Sequence, residues 1–156
     1  DEPTTALDVT IQKQILELIQ GLVAERGMAL ILISHDLGVI AQSVSKMLVM
    51  YGGSIVESGP TAAVFTDREH PYTQGLFAAR PALNAPRGQR LATIRGSVPE
   101  LVDLPPGCPF AGRCEFTVEA CHNIRPQATP LAQAGHEVRC LRLDAVREAA
   151  LEKETA

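Results

Sequence analysis

The sequence predicts an α/β fold over its first 80 residues, followed by a smaller and irregular cysteine-containing segment. Helical and strand-like patterns alternate through the first part. A continuous apolar run at 28–34 is typical of a strand covered on both faces, as in a parallel sheet. Pro and Gly become frequent after residue 80, where helical periodicity ends. We therefore expect a boundary near residue 80.

The first helix is predicted over residues 10–26. Gly27 stands where a glycine commonly ends a helix, and the apolar run 28–34 follows as the first strand. The helical prediction depends on four apolar residues that fall on one face, namely Ile11, Ile15, Leu18 and Leu22.

A short helix and a hairpin are predicted next. Asp36 can cap a helix that runs to about Val44. The apolar stretch 46–50 predicts a second strand, the glycine pair at 52–53 a turn, and 54–57 a short antiparallel partner.

The remaining elements are helical or irregular. Thr61 is predicted to cap one helix, and Pro71 to start another over 72–79, which Pro81 ends. Residues 91–94 are predicted to be extended. A polar helix is predicted over 141–153, as a loosely held tail.

Composition and charge exclude some classes of function. The 156 residues carry a formal net charge of −4 and no basic block, which argues against nucleic acid as a partner. No apolar run reaches the ~20 residues that a membrane-spanning helix needs. Aromatic residues make up 4% of the chain, so we expect a core of aliphatic side chains.

The opening residues Asp1-Glu2-Pro3 and the later Ser34-His35-Asp36 suit phosphoryl transfer. That reaction needs a carboxylate for Mg²⁺ and a group that orients or deprotonates water. A histidine at the end of a neighbouring strand would lie at the same edge of the sheet. The simpler alternative for the acidic pair alone is a helix N-cap with an acidic first turn.

The opening octapeptide, Asp-Glu-Pro-Thr-x-Ala-Leu-Asp, resembles the end of the Walker B motif joined to the D-loop of ABC transporter ATPases. The run that ends in Ser34-His35-Asp36 resembles their H-loop. The resemblance implies that the first part is the C-terminal portion of a P-loop ABC ATPase core. It also implies that Asp1 holds Mg²⁺ through water, that Glu2 is the general base and that His35 contacts the γ-phosphate of ATP. Asp8 would lie in the D-loop, which crosses to a partner subunit.

Several family motifs are absent from the sequence: the phosphate-binding Gly-x-x-x-x-Gly-Lys-[Ser/Thr] loop, the Q-loop and the signature motif. In the family these precede the residues that match Asp1. We therefore expect the N-terminus to be a truncation, and the 156 residues alone neither to bind ATP tightly nor to hydrolyse it.

Four cysteines occur in the pattern Cys108-x₅-Cys114-x₆-Cys121-x₁₈-Cys140. Because no Cys-x-x-Cys is present, a zinc ribbon or thioredoxin-like site is not expected. Four thiolates could hold a [4Fe–4S] cluster or zinc, and the thiols could also be free or structural. His122 and His136 are alternative ligands, or simply exposed histidines.

A second resemblance involves Gly107-Cys108-Pro109-Phe110-Ala111-x-Arg113-Cys114, the later Cys121, and Gly135-His136-x-Val138-x-Cys140. These residues resemble the C-terminal extension of the oligopeptide/dipeptide branch of ABC importers, as do His70–Thr73 and Gly96–Pro99. In some members the four cysteines of this extension hold a [4Fe–4S] cluster. The implied organisation is an ATPase part at 1–80, the extension at 81–142 and a helical tail at 143–156.

The implied function is ATP hydrolysis that powers the import of peptides or related solutes, such as dipeptides, nickel chelates or glutathione-like molecules. The implied partners are a second ATPase subunit, two membrane permeases and, indirectly, a solute-binding protein, at the cytoplasmic face of the cell membrane. Two alternatives are a metal- or cluster-stapled regulatory module without ATPase activity, and an ABC-type ATPase that acts on DNA or ribosomes.

Overall fold

A computed structural model describes residues 2–3, 7–80 and 92–154 of the chain. The described part contains a mixture of helices and antiparallel strands. The helices are α1 (Val9–Arg26), α2 (Leu37–Ser43), α3 (Thr61–Thr66), α4 (Pro71–Ala78), α5 (Glu119–Asn123) and α6 (Leu143–Glu154). The strands are β1 (Lys46–Tyr51), β2 (Ser54–Pro60), β3 (Thr129–Pro130) and β4 (Glu137–Val138). Short 3₁₀ turns lie at Leu101–Asp103 and Ala111–Arg113.

Helix α1 confirms the predicted helix to within one residue. Its N-terminus is capped by Asp8, whose carboxylate accepts the backbone N–H groups of Thr10 and Ile11. Its C-terminus is closed by Gly27 at φ 61°, a conformation that glycine adopts without strain. No residue of α1 is buried within the described part of the chain: Ile15 and Ile19 are half-buried, while Leu18 and Leu22 are exposed.

The predicted strand at 28–34 is wrong. This segment forms no regular strand, and Ile31 is 90% exposed. The backbone N–H of Glu2 donates to the Ile33 carbonyl at 2.9 Å, but no strand-to-strand ladder forms beside the segment in the described residues. A parallel strand depends on a neighbouring strand to pair with, and an apolar run alone does not supply one. The expectation of a parallel sheet is therefore also wrong, because the observed sheet is antiparallel throughout.

The hairpin of β1 and β2 confirms the predicted strand, turn and antiparallel return. Gly52 and Gly53 both have positive φ, as the tight turn requires. Strand β1 alternates between exposed and buried residues, so that Met47, Val49 and Tyr51 face the core. Strand β2 extends three residues further than predicted, to Pro60.

The sheet has the order β1-β2-β4-β3. Strand β4 comes from the C-terminal part of the chain and pairs with β2, so residues from both sides of residue 80 share one sheet. The buried core also combines the two parts, since side chains of β1 and β2 pack with residues of the cysteine segment. Its members include Val49, Tyr51, Val56, Val64, Cys108, Phe110, Ala111 and Cys121.

Helices α3 and α4 follow β2 directly. The prediction that Thr61 caps α3 is wrong, because Pro60 occupies the cap position and Thr61 is the first helical residue. The Thr61 hydroxyl instead donates to the Val44 carbonyl at 2.8 Å. Helix α4 begins at Pro71 as predicted, behind a His70 cap. Pro81, the predicted end of that helix, lies outside the described residues.

The C-terminal helix α6 is better anchored than a loosely held tail. Val146 is 1% exposed, and the Arg147 guanidinium makes a bidentate contact with the Glu69 carboxylate at 2.8–3.1 Å. The predicted extension at 91–94 shows no regular structure over 92–94, and Leu91 lies outside the described residues. Among the described helices, none is both long and apolar enough to span a membrane.

Candidate functional site

Glu2 and His35 meet at the end of the segment that precedes α2. The Nδ1 atom of His35 lies 2.7 Å from Oε1 of Glu2, and both side chains are open to solvent. Because a carboxylate only accepts hydrogen bonds, Nδ1 carries the proton in this contact. Asp36, the next residue, caps α2 through the N–H groups of Gly38 and Val39 and so fixes the backbone behind His35.

The contact with Glu2 changes the pKa of the His35 imidazole. The hydrogen bond to Glu2, followed by the charge of Glu2, raises the pKa of His35, and Asp36 adds a smaller effect in the same direction. Glu2 has a φ of 38°, which is uncommon for a residue with a side chain. Side chains placed in this way can hold a proton between them and orient a polar group presented to the open side.

The two aspartates predicted for the same site are placed differently. Asp1 lies outside the described residues. Asp8 is exposed, and its carboxylate is occupied by the N-terminus of α1, with Oδ1 at 3.0 Å from the Thr10 nitrogen and 3.1 Å from the Ile11 nitrogen. The structure thus brings Glu2 and His35 together and assigns Asp8 to a helix cap.

The four cysteines form no disulfide and lie close enough to one another for their thiols to interact electrostatically. Cys108 and Cys121 are buried, while Cys114 and Cys140 are half-buried. Burial raises the pKa of the thiols of Cys108, Cys114 and Cys140, the last to about 11, and the neighbouring thiols raise the pKa of each further. Within the described ranges, no three His, Cys, Asp or Glu residues are placed to hold a metal ion.

Backbone contacts join two stretches of chain in this thiol region. The Cys108 N–H donates to the Cys121 carbonyl at 2.8 Å, and the Gly107 N–H donates to the His122 carbonyl at 3.0 Å. A Cβ on Gly107 would collide with the Cys121 carbonyl oxygen, so this close approach of two backbones requires glycine. The approach brings Cys108 next to the Cys121 of α5.

Hydrogen-bond donors also face the sulfur atoms. The Arg142 N–H lies 3.3 Å from Sγ of Cys140. Backbone N–H groups of Phe110 and Phe116 act on Cys108 and Cys114, where they partly offset the effect of burial on the thiol pKa. Donors of this kind stabilise thiolates, which are the form that binds iron or zinc.

Sequence reasoning missed a buried polar cluster centred on Glu57 of β2. The Glu57 carboxylate is 1% exposed and accepts the backbone N–H groups of Glu69 and His70, each at 3.0 Å. It also lies 2.9 Å from Nε2 of His136, which is itself 1% exposed. His136 is therefore neither an exposed histidine nor free to act as a thiol substitute. His122, by contrast, is exposed. A charged residue within an apolar strand was the signal that could have revealed the cluster.

His70 belongs to the same cluster and caps α4. Its Nδ1 accepts the Tyr72 N–H at 3.1 Å, and its side chain is 1% exposed. Burial lowers the pKa of His70 to about 4. The folded protein thus holds this imidazole neutral.

We expect stability to fall as the pH is lowered from about 6.5 to about 4, because the unfolded chain binds a proton at His70 in this window and the folded chain does not. A tenfold change in proton affinity corresponds to about 1.4 kcal/mol, so the loss reaches about 3 kcal/mol. His70→Asn keeps a capping oxygen but cannot titrate, and should remove this part of the loss. Urea unfolding of both proteins across the window, with His122→Asn as the control, measures it. An equal loss in wild type and His70→Asn would contradict the assignment.

The sequence is similar to those of proteins of peptide transport. Residues 56–121 match the family described as "Oligopeptide/dipeptide transporter, C-terminal region". A peptide import ATP-binding protein of Brucella ovis is 52% identical over 149 residues, which cover 91% of this chain and 43% of the relative. The oligopeptide transport ATP-binding protein of Mycobacterium tuberculosis is 43% identical over 146 residues, which cover 94% of this chain and 24% of the relative. The chain thus spans less than half the length of these relatives.

Proposed function

We propose that the chain, which matches the oligopeptide/dipeptide transporter C-terminal region over residues 56–121 and is similar to peptide import ATP-binding proteins, is part of the ATP-hydrolysing subunit of a peptide importer. The observation that supports hydrolysis is the contact between Glu2 and His35 at 2.7 Å. It places a carboxylate that can accept a proton beside an imidazole that can donate one.

In the proposed reaction, Glu2 accepts a proton from the attacking water while His35 donates a hydrogen bond to the γ-phosphate of ATP. Because the hydrogen bond to Glu2 and the Glu2 charge raise the pKa of His35, the imidazole holds its proton where negative charge develops on the phosphate. Asp1 would hold Mg²⁺, which neutralises charge on the phosphates when bound. Asp8 lies in the loop that we assign to the contact with a second subunit, and its cap on α1 would fix the end of that loop.

The proposed assembly contains a second ATPase subunit, identical or related, and two membrane permeases at the cytoplasmic face of the membrane. A solute-binding protein would deliver a peptide or a related solute to the permeases. The test is co-purification of the whole protein with its permeases, followed by measurement of ATP hydrolysis. Co-purification with turnover supports the importer, whereas association with DNA or ribosomes supports the alternative ATPase class. Absence of turnover favours a regulatory module.

We further propose that Cys108, Cys114, Cys121 and Cys140 ligate a [4Fe–4S] cluster. The proximity of the four thiols and the N–H donors that face Cys108, Cys114 and Cys140 support this. A bound cluster would supply a covalent staple or a one-electron centre.

Anaerobic purification should give a brown protein with about four irons per chain and broad absorbance near ~400 nm. Cys108→Ser should lose most of this signal, because it removes one of four ligands. His122→Ala is the matched control, since His122 adjoins Cys121 and is exposed, and it should keep its iron. One zinc per chain would indicate a structural zinc site instead of a cluster. A protein purified without metal would contradict the proposed cluster.

A further inference from the structure

His35 lies in a turn whose shape is fixed by the side chains on both sides of it. The Ser34 hydroxyl accepts the backbone N–H of Asp36 at 3.0 Å, which closes a turn across His35. The Asp36 carboxylate then accepts the N–H groups of Gly38 and Val39 at 2.7 and 3.3 Å. These contacts hold the backbone of His35 without using its imidazole, which is left for other partners.

The Asp36 cap joins this turn to the core of the protein. Helix α2, which the cap begins, buries Val39 and Ile40, and Ile40 belongs to the core cluster. The segment before the turn gives less support, because residues 28–33 form no regular element and Ile31 is 90% exposed. The position of His35 relative to the core therefore depends on its connection to α2.

The residue just before the turn holds Glu2. The backbone N–H of Glu2 donates to the Ile33 carbonyl at 2.9 Å, two residues before His35. Packing does little to hold the two side chains, because that of His35 is 75% exposed and that of Glu2 is 42% exposed. The backbone thus sets the direction from which each side chain reaches the other. A change in the turn would alter the 2.7 Å contact between Nδ1 of His35 and Oε1 of Glu2.

We propose that Ser34 and Asp36 are positioning residues for ATP hydrolysis, because they set the direction in which the His35 imidazole meets Glu2 and the γ-phosphate. Both side chains bond backbone N–H groups, so they act on the reaction through the backbone of His35. A misplacement of a catalytic group by about 1 Å can slow a reaction about 100-fold. This inference rests on the proposed function, since it concerns the same site.

Steady-state hydrolysis of ATP by the whole protein tests the two residues. Asp36→Ala should lower kcat about tenfold while KM for ATP changes less than about twofold, because the nucleotide contacts remain and only their alignment is lost. Asp36→Asn keeps a capping oxygen and should recover most of the rate. Ser34→Ala should lower kcat about threefold, and Ser34→Thr, which keeps the hydroxyl, should restore it.

Ile40→Val is the matched control for a weakened helix. It removes one methyl group from the buried face of α2 and leaves the turn and the cap unchanged. The ring ¹⁵N signals of His35 then show whether Nδ1 still carries the proton that faces Glu2. Asp36→Ala should shift these signals, whereas Ile40→Val should change neither the signals nor kcat.

Three results would overturn the inference, and they can be told apart. Unchanged His35 signals in Asp36→Ala, with kcat no lower than in Ile40→Val, would make the carboxylate a helix cap and nothing more. A rate in Asp36→Asn as low as in Asp36→Ala would show that the cap does not carry the effect. A wild-type protein without ATP hydrolysis would overturn the proposed function and the positioning role together, whereas the first two results leave the proposed function standing.

Discussion

Replacing Glu2 by Gln in the whole protein is expected to lower the rate constant for ATP hydrolysis by about 100-fold or more, with ATP binding retained. The amide keeps the shape of the side chain and a hydrogen-bonding oxygen, but it cannot accept a proton from water. The residue contacts His35 at 2.7 Å, so the substitution changes proton transfer at the centre of the proposed site. Steady-state hydrolysis and nucleotide binding, measured separately, check this prediction.

The same substitution should lower the pKa of His35. The hydrogen bond to Glu2 and the Glu2 charge are the two largest causes that raise it, and both weaken when the carboxylate becomes an amide. An NMR titration of the His35 ring therefore reports whether the contact exists in solution, independently of turnover. Because the imidazole is largely exposed, the shift reflects this contact and not burial.

Glu17→Gln is the control for Glu2→Gln. Glu17 is also an exposed glutamate, and it pairs with Lys13 one turn earlier on α1 at 3.7 Å. Its replacement should leave hydrolysis unchanged. If Glu2→Gln kept more than half of the wild-type rate constant, Glu2 would not be the general base. If the substitution changed the pKa of His35 but not the turnover, the contact would exist in solution but would not have the proposed catalytic role.

The elements that sequence reasoning predicted are those that local signals determine. Helix α1 is bounded by a capping aspartate and a glycine with positive φ, and both act within one turn of the chain. The hairpin follows from two adjacent glycines between apolar stretches. Asp36 likewise caps α2 through its own neighbours. None of these features depends on a distant part of the chain.

The segment 28–34 shows where local signals are not sufficient. Its apolar run was interpreted as a buried parallel strand, yet Met28, Ile31 and Ile33 are more than half exposed. A run of apolar residues is buried only where other strands or helices cover it, and the run itself does not determine whether they do. His35 nevertheless contacts Glu2, and one backbone hydrogen bond aligns Glu2 with Ile33, although neither residue lies at the edge of the described sheet. The catalytic roles of this pair remain predictions.

Two further groups of residues were beyond sequence reasoning for the same reason. Arg113 and the backbone carbonyls of residues 94–96 that it bonds are 17 to 19 residues apart in the chain, and Glu57 and His136 are 79 apart. No periodicity or spacing connects such residues. The motif around Cys108 and Cys114 indicated a role for the thiols. It did not indicate that Arg113, which lies between them, bonds the distant Arg95 carbonyl and Tyr51 hydroxyl.

The second large effect is expected at Glu57, where replacement by Gln should lower the free energy of unfolding by about 2–4 kcal/mol. The carboxylate accepts three hydrogen bonds, from the backbone N–H groups of Glu69 and His70 and from Nε2 of His136. A glutamine amide has only one accepting oxygen. Its NH₂ group would take the place of the second carboxylate oxygen and face an N–H donor instead of accepting from it. Glu57→Ala removes the acceptor altogether and should cost more, leaving three donors buried without partners.

The cluster links three elements, because Glu57 lies on β2, His136 immediately precedes β4, and Glu69 and His70 lead into α4. Glu69 also binds Arg147 of α6, so loss of Glu57 should loosen the C-terminal helix as well. A fall of this size is a large fraction of the stability of a small domain. Denaturant unfolding at neutral pH, with the m-value compared between variants, distinguishes lost stability from a changed unfolded state.

Glu137→Gln is the matched control, because Glu137 is a neighbouring glutamate on β4 whose side chain is exposed, and it should change stability by less than about 0.5 kcal/mol. A double-mutant cycle with Glu57→Leu and His136→Leu separates the pair from the backbone contacts. If the contact between the two side chains carries the effect, the double variant will be less destabilised than the sum of the single variants. If Glu57→Gln costs no more than Glu137→Gln, the carboxylate does not hold these three elements together, since a buried acceptor of three donors cannot be replaced without loss.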